Sequence, residues 1–554
     1  MSAKNCNICY IRQLTSPLRK GRNVYDVPLY NNGVTSPPMG WSSWNCFRNN
    51  IDSEKILGIA EALIKTGLAE KGYKFVNLDD NWHSSMRDAN GNLQGDLERF
   101  PLGIPELINK INGMGLKVGL YSSNGTLTCE DLPASFGNEE KDATLLAKWG
   151  VEFFKYDFCH HHPYSSKAPL ISAISFINSN NSEIKEEFKA EEGILGGQAK
   201  IISDKKMPCG SYVKGLNKNK GIVIFDFVTV PKQGEYILTV TTKKRGNYEK
   251  FLAVEINGDE PKLLTIPACK VFNNTARVQC VVNLKEGNNI IKFYNPIEKT
   301  ADGYVLQYRY MGKMLKQATY NESLRTASKE KPITYSICEW GRNRPWLWGA
   351  TAGNQWRTTP DIRPWWFWMM IIYNHNVRLY KYSVKGGYND PDMLEVGNGK
   401  LSFEENKSHF TLWAMMNAPL ILGNDLRKFI DENGNVDETN PTLKILKNEK
   451  IIALNQDEKG KACKRLKCGI VDVLAKPLSD GTAFCFFNRS RSRKTFKCDL
   501  TKFCEDEYIE FDKSDKYFVE DLWTNDKTET DGKISIQIPP HGVVVYKIPT
   551  VCIR

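Results

Sequence analysis

Two aspartates in this 554-residue chain, Asp157 and Asp361, stand where paired carboxylates could act as acid, base or nucleophile. Each ends a short strand-like run, Val151–Asp157 and Asn354–Asp361. Hydrolysis of a glycosidic bond with retention needs two carboxyl groups about 5–5.5 Å apart, one as the nucleophile and one as the acid/base. The two aspartates are therefore candidates for such a pair.

The sequence neighbours of the two aspartates predict different protonation states. Lys155 precedes Asp157 by two residues and shares its strand face, so its cation should keep Asp157 ionised and ready to attack. Asp361 is flanked by Trp356 and Trp365, and an apolar neighbourhood would raise the pKa of its carboxyl. One such aspartate could equally cap a helix, but the number of strand-end carboxylates favours chemistry.

Further polar and aromatic residues fall at the ends of similar runs. Carboxylates repel one another, and a polyhydroxylated substrate held by hydrogen bonds would explain their crowding. An indole among them could stack on the apolar face of a sugar ring. The candidate substrate-binding residues are Trp44, Asp79, Asp80, Tyr121, Lys155, Glu339, Arg357 and Asp392.

The apolar patterning predicts a fold in which the ends of several strands lie close together, as these residues require. The strand-like runs alternate with helical patterns at Ser53–Leu68, Ile104–Gly113 and Asn138–Lys148, which is typical of parallel β/α units. In a (β/α)8 TIM barrel the carboxyl ends of the strands form the active-site face. The predicted fold class is α/β, a TIM barrel with strands Met39–Trp44, Lys74–Asp80, Lys117–Ser123, Val151–Asp157, Ile333–Glu339, Asn354–Asp361, Gly386–Asp392 and Ala418–Gly423.

The barrel rhythm breaks after the fourth strand. Short alternating strands separated by turn residues fill much of the gap before the fifth, which predicts a β-sandwich inserted in a barrel loop. The C-terminal residues predict a second antiparallel β-sandwich. The predicted organisation is an N-terminal extension 1–33, barrel 34–187, inserted sandwich 188–312, barrel 313–457 and C-terminal sandwich 458–554.

Composition excludes several classes of function. The formal charge is +11, but the Lys and Arg residues are scattered, which argues against a nucleic-acid partner. No apolar run approaches the roughly 18 residues needed to span a bilayer. The first residues lack the pattern of a signal peptide, so a cytoplasmic protein is expected, or a secreted one if the sequence is a mature form.

Several motifs occur in order along the predicted barrel. They are PPMGWSSWNCF (37–47), NLDDNW (77–82), GVEFFKYDFC (150–159), YSICEWG (335–341), NQWRTTPDI (354–362) and GGYNDPDML (386–394). Together they resemble glycoside hydrolase family 27, the α-galactosidases and their relatives. The resemblance implies that Asp157 is the nucleophile, that Asp361 is the acid/base, and that Cys129 and Cys159 form a disulfide. It implies catalysis without a cofactor, and galactose-terminated oligosaccharides or glycans as partners.

Within that family the residue after Cys338 indicates the substrate. Glu339 would accept a hydrogen bond from the 2-hydroxyl of galactose and fill the space that a 2-acetamido group needs, and a buried carboxylate left unpaired would be costly. The expected activity is retaining hydrolysis of terminal non-reducing α-D-galactosyl residues. The alternatives are an α-N-acetylgalactosaminidase, a β-L-arabinopyranosidase and a non-catalytic sugar-binding protein.

The insert carries a second resemblance. Its opening, FKAEEGILGGQAKI (188–201), resembles carbohydrate-binding module family 35. That likeness implies a sugar-binding role and a structural calcium ion held by Glu191. A module that only buttresses the barrel or mediates self-association is the alternative.

Overall fold

The structure is a computed structural model that describes residues 28–161, 165–207, 209–243, 250–266, 275–298 and 302–550. The predicted N-terminal extension lies outside the described residues as far as residue 27. The chain forms two compact units: one contains residues up to 135, 140–160 and 311 onward, and the other contains residues 136–139 and 161–310.

A parallel sheet of eight strands forms the centre of the first unit. Neighbouring strands follow one another around the sheet, from the seventh through the sixth, fifth, fourth, third, second and first to the eighth. A parallel bridge between Leu394 and Leu422 joins the two edges, which confirms the predicted barrel. The strands are Met39–Ser42, Phe75–Asn77, Lys117–Ser123, Phe153–Asp157, Thr334–Ile337, Gln355–Arg357, Tyr388–Asp390 and Leu420–Leu422.

Helices connect these strands. Short 3₁₀ turns also occur at Pro345–Leu347, Gly349–Thr351, Val377–Tyr382 and Leu426–Phe429. The α-helices are Ser43–Phe47, Ser53–Lys65, Ile104–Gly113, Glu139–Trp149, Asp302–Thr326, Trp366–Asn376, Phe403–Met415, Pro441–Leu446 and Glu449–Gln456.

Local sequence accounts for several of these elements. Six of the seven residues of Lys117–Ser123 are buried, as expected for a strand covered on both faces. The second helix begins where the Asp52 carboxylate accepts a 2.9 Å hydrogen bond from the Lys55 backbone N–H, an N-cap. Gly115 follows the helix Ile104–Gly113 with φ +76°, the left-handed conformation that ends helices.

Two antiparallel sheets make up the second unit. Their apolar faces share one buried core that includes Phe176, Leu238, Phe225 and Phe293, so the unit is a β-sandwich. The first sheet contains Lys262–Ile266, Lys250–Ile256, Gly287–Tyr294, Gly221–Val230 and Ile194–Gly197, and the second contains Thr275–Leu284, Gly234–Lys243, Leu170–Asn178, Asn181–Lys189, Ser211–Lys214 and Lys200–Ser203.

The insert was predicted to span residues 188–312, and its sheets include a strand that lies before residue 188. Leu170–Asn178 lies inside the second sheet, because it pairs with Gly234–Lys243 and also with Asn181–Lys189. The sandwich therefore begins almost directly after the fourth barrel strand. At the other end, the second unit stops at residue 310, close to the predicted limit of residue 312.

The C-terminal region is a second antiparallel sandwich, as predicted. Its core joins Phe484 and Phe486 of the larger sheet to Ile536 and Ile538 of the smaller one. The larger sheet contains Lys464–Lys467, Val471–Leu478, Gly481–Asn488, Val543–Pro549, Tyr517–Asp521 and Lys527–Thr530, and the smaller contains Lys494–Asp499 and Lys533–Ile538. Among the described residues, no helix is both long and apolar enough to cross a membrane.

Candidate active site

The predicted site residues gather at the carboxyl end of the barrel, mostly just beyond the hydrogen-bonded strands. Most of the strands are shorter than predicted, whereas Lys117–Ser123 has the predicted bounds. Asp157 and Arg357 each end a strand, whereas Asp361 lies four residues further on. Trp44 belongs to the short helix Ser43–Phe47 rather than to the first strand.

Asp157 lies in a nearly closed environment. It is 5% exposed, and its Oδ1 accepts a 2.8 Å hydrogen bond from the Phe158 backbone N–H. Burial raises the pKa of its carboxyl to about 6, the cation of Lys155 opposes that rise, and the negative charge of Asp361 adds to it. At neutral pH the group is therefore mainly ionised, as attack on a sugar carbon requires.

Lys155 is shared between two carboxylates. Its Nζ donates a 2.8 Å hydrogen bond to Asp79 Oδ2 and lies 5.3 Å from the centroid of the buried Tyr121 ring. Burial opposes the charge of Lys155, but the carboxylate of Asp79 raises its pKa well above the usual value. The predicted influence of Lys155 on Asp157 is thus electrostatic, while its direct partner is Asp79.

The adjacent carboxylates Asp79 and Asp80 have different partners. Asp80 accepts hydrogen bonds from the backbone N–H groups of Asn81, at 2.8 Å, and Glu130, at 3.0 Å. Burial raises the pKa of Asp80 to about 7. Asp79 faces Lys155, so the two neighbours serve different sides of the strand end, as their positions on a strand predict.

Arg357 lies between Asp361 and Asp392. Its Nη2 is 3.0 Å from Asp361 Oδ1 and 2.9 Å from Asp392 Oδ2. Burial raises the pKa of Asp392, and the guanidinium opposes that rise. Asp392 also accepts a 2.8 Å hydrogen bond from the Ile362 N–H, which ties the loop after Asp361 to this cluster.

The predicted apolar neighbourhood of Asp361 is wrong. Its side chain is 45% exposed and faces the Arg357 guanidinium. Trp356 is buried on the opposite face of its strand from Arg357, where its Nε1 donates to Asn389 Oδ1 at 2.8 Å, and Trp365 is 59% exposed. The expectation failed because strand-end tryptophans can face the core, which sequence proximity does not reveal.

Trp44 is half-buried and its helix is tied to the carboxylate cluster. The residue before it, Ser43, accepts a 2.9 Å hydrogen bond on Oγ from the Asp79 backbone N–H. The Arg48 guanidinium lies 5.5 Å from the centroid of the Trp44 ring. The helix that carries Trp44 is thus bonded to the backbone of Asp79.

Glu339 is fully buried, and both of its carboxylate oxygens accept hydrogen bonds from Asn343. The Asn343 backbone N–H donates to Oε1 and its Nδ2 donates to Oε2, each at 2.8 Å. Gly341 lies between them with φ +74°, and a Cβ there would be 2.2 Å from the Thr358 carbonyl oxygen. Only glycine therefore suits this turn.

Sequence reasoning missed Asn343 and a polar layer beneath the site. Asp390 Oδ2 accepts from Gln355 Nε2 at 3.1 Å, and its Oδ1 accepts from the Asp392 N–H at 2.8 Å. Burial raises the pKa of Asp390 to about 6. It lines the same cavity as Lys155 and Arg357. Its place two residues before Asp392 was a usable signal.

The predicted disulfide between Cys129 and Cys159 is present, with a Cα–Cα distance of 5.1 Å. Its sulfur atoms and a carboxylate oxygen of Asp157 lie within 4.8 Å of one another. This is the one group with metal-ligand spacing among the described residues. Because its two cysteines are bonded to each other, it is a covalent crosslink beside Asp157.

The calcium site predicted at Glu191 does not fit the described residues. Glu191 is exposed in the single 3₁₀ turn Ala190–Glu192. No group of three His, Cys, Asp or Glu side chains in the described parts of the chain includes it, whereas protein calcium sites take 6–8 oxygen ligands.

An eight-stranded parallel barrel with carboxylates and paired cations at the carboxyl end of its strands, followed by a β-sandwich, is the architecture of a glycoside hydrolase of the α-galactosidase type. The chain belongs to the family described as Alpha galactosidase A, whose model matches residues 36–179 and 298–457. A second model, the Alpha galactosidase C-terminal beta sandwich domain, matches residues 468–548. Residues 180–297, most of the insert, lie outside both matches.

Individual relatives agree with the family. The chain is 29% identical to an α-galactosidase of Cyamopsis tetragonoloba, with 95% of this chain and 92% of the relative covered. It is 32% identical to a probable α-galactosidase B of Talaromyces emersonii, over 76% and 68% of the two chains. The crystal structure of α-galactosidase I from Mortierella vinacea, 24% identical, covers 94% of this chain and 98% of its own with a TM-score of 0.62; this likeness supports the fold.

Proposed function

We propose that this chain is a retaining exo-α-galactosidase that removes terminal non-reducing α-D-galactosyl residues from oligosaccharides or glycoconjugates by double displacement. The observation that carries the proposal is the pair of aspartates at the barrel mouth, of which Asp157 is buried and Asp361 is open to solvent. A nucleophile profits from a closed site, and an acid/base must exchange its proton with water between the two steps.

In the first step, Asp157 attacks the anomeric carbon while Asp361 gives a proton to the leaving oxygen. The Phe158 N–H donates to Asp157 Oδ1, so Oδ2 is the attacking oxygen. Arg357, 3.0 Å from Asp361, stabilises the carboxylate that remains after the proton has left. In the second step Asp361 takes a proton from water, and that water releases galactose from Asp157 with its original configuration.

The remaining candidates hold the sugar. Asp79, Asp80 and Asp392 can accept hydrogen bonds from its hydroxyls, and Lys155 can donate to them. Trp44 offers an apolar face for the ring. Glu339 recognises the 2-hydroxyl and favours galactose over 2-acetamido sugars.

A panel of nitrophenyl glycosides tests this proposal. Hydrolysis should be fastest for the α-galactoside, and proton NMR of the first product should show the α-anomer of galactose. A faster rate on the α-N-acetylgalactosaminide or the β-L-arabinopyranoside would replace the substrate assignment. Absence of hydrolysis on every glycoside would leave a sugar-binding protein instead.

We propose that the inserted sandwich binds carbohydrate. Its resemblance to carbohydrate-binding module family 35 and its two facing antiparallel sheets support this role. Calorimetric titration of the full chain carrying Asp157→Asn with galactomannan oligosaccharides should then give more than one site per chain. A single site that α-galactose blocks competitively would assign all binding to the barrel and leave the insert a structural part.

A further inference from the structure

Asn343 holds Glu339 by both carboxylate oxygens. Its backbone N–H donates to Oε1 and its side-chain Nδ2 donates to Oε2, each at 2.8 Å. Hydrogen bonds to an ionised acceptor are stronger than neutral ones. Two of them from a single residue fix the carboxylate plane as well as its position.

The loop that carries Asn343 is itself fixed. The indole Nε1 of the buried Trp348 donates to the Asn343 carbonyl oxygen at 3.2 Å. The N–H of Gly341 donates to the Arg357 carbonyl oxygen at 3.0 Å, which joins the loop to the sixth barrel strand. Asn343 is thus a rigid support rather than a surface residue that meets Glu339 by chance.

We infer that Asn343 is a positioning residue for recognition of the sugar's 2-position. The two donors of Asn343 together set the plane and the position in which Glu339 presents its oxygens. Loss of the Nδ2 donor removes one of these two restraints on the carboxylate. This inference rests on the proposed α-galactosidase function and adds a specificity residue to it.

A substrate that lacks the 2-hydroxyl separates this role from a merely structural one. Asn343→Ala and wild type are compared on a nitrophenyl α-galactoside and on its 2-deoxy analogue, with spontaneous hydrolysis of each subtracted. The variant should lose about tenfold in kcat/KM on the α-galactoside, the worth of one hydrogen bond to a charged group. On the 2-deoxy analogue its loss should be less than about twofold.

A second variant guards against misfolding of the first. Asn343→Asp keeps the shape and the backbone N–H but places an acceptor against Glu339 Oε2, so it should lose at least as much activity, again only when the 2-hydroxyl is present. Equal losses on both substrates, or no loss on either, would overturn the inference. If wild type itself hydrolyses no α-galactoside, the proposed function falls, and the specificity role falls with it.

Discussion

Lys155 Nζ and Asp79 Oδ2 lie 2.8 Å apart and form an ion pair. The same Nζ lies 5.3 Å from the centroid of the Tyr121 ring. The same cation lowers the pKa of Asp157 against the effect of burial. One lysine therefore orients the carboxylate proposed to bind the sugar and favours the ionised form of the proposed nucleophile.

The pH dependence of kcat/KM should follow from the raised pKa of the Asp157 carboxyl. Burial raises the pKa of Asp157 to about 6, and only its ionised form can attack, so kcat/KM should fall as the pH drops through about 6. The pKa of Asp80 is also raised, to about 7. The loss of activity at low pH should therefore reflect the protonation of both carboxyl groups rather than of Asp157 alone. A kcat/KM profile from pH 4 to 9 measures it.

Lys155→Gln should move this loss of activity to higher pH. Loss of the cation removes the charge that favours ionised Asp157, so the pKa of this carboxyl should rise. The variant should then lose more activity at pH 5 than at pH 8, relative to wild type. Lys117→Gln is a matched control, because Lys117 pairs with Glu152 at 2.7 Å and does not contribute to the pKa of Asp157. A loss of activity that stays at the same pH in Lys155→Gln would contradict the assignment.

Azide should distinguish the two aspartates. Asp157→Gly and Asp361→Gly should each lose about 10³-fold or more in kcat on an unactivated galactoside. Azide entering the space left by Asp157 attacks the sugar directly and should give β-galactosyl azide. With Asp361→Gly, azide attacks the galactosyl–enzyme and should give the α-azide. NMR of the products measures this, and exchanged anomers would exchange the two roles.

Replacement of Glu339 by a small residue should change the choice of sugar. Glu339→Ser removes the acceptor for the 2-hydroxyl and opens room for a 2-acetamido group. The ratio of kcat/KM values, α-galactoside over α-N-acetylgalactosaminide, should fall by about tenfold or more. Rates on the two nitrophenyl glycosides measure it, and an unchanged ratio would show that Glu339 does not contact the 2-position.

The disulfide should support both stability and activity. Cys129 and Cys159 are 30 residues apart, so replacing both with serine should lower the free energy of unfolding by about 3–4 kcal/mol on the loop-entropy account. Activity should fall as well, because the sulfur atoms lie beside Asp157. Urea unfolding and rates in both redox states measure these effects. Cys468→Ser, at an exposed free cysteine, should change neither.

Sequence patterning predicted the elements whose signals are local. The helix Ile104–Gly113 and the strand Lys117–Ser123 have the predicted bounds, because apolar spacing and a terminal glycine determine them. The start of the insert was missed, because Leu170–Asn178 is as apolar as a barrel strand and only its pairing partners identify its sheet.

The candidate site also contains some residues that local sequence patterns predict and others that they do not. Its acidic residues could be found because each follows an apolar run. Asn343 could not, because its place depends on left-handed backbone at Trp340 and Gly341 and on a hydrogen bond to the sixth strand. Contacts that depend on such a turn leave no periodic trace in the sequence.

The barrel closes through a very short seam. Leu394 N–H donates to the Ile421 carbonyl at 2.7 Å, and Gly423 N–H donates to the Leu394 carbonyl at 3.0 Å. Asp392, which pairs with Arg357, lies two residues before that seam. Opening of these two bonds would therefore loosen the segment that carries Asp392, a proposed sugar-binding residue, and we expect heat to inactivate the protein through such local opening before the barrel as a whole unfolds.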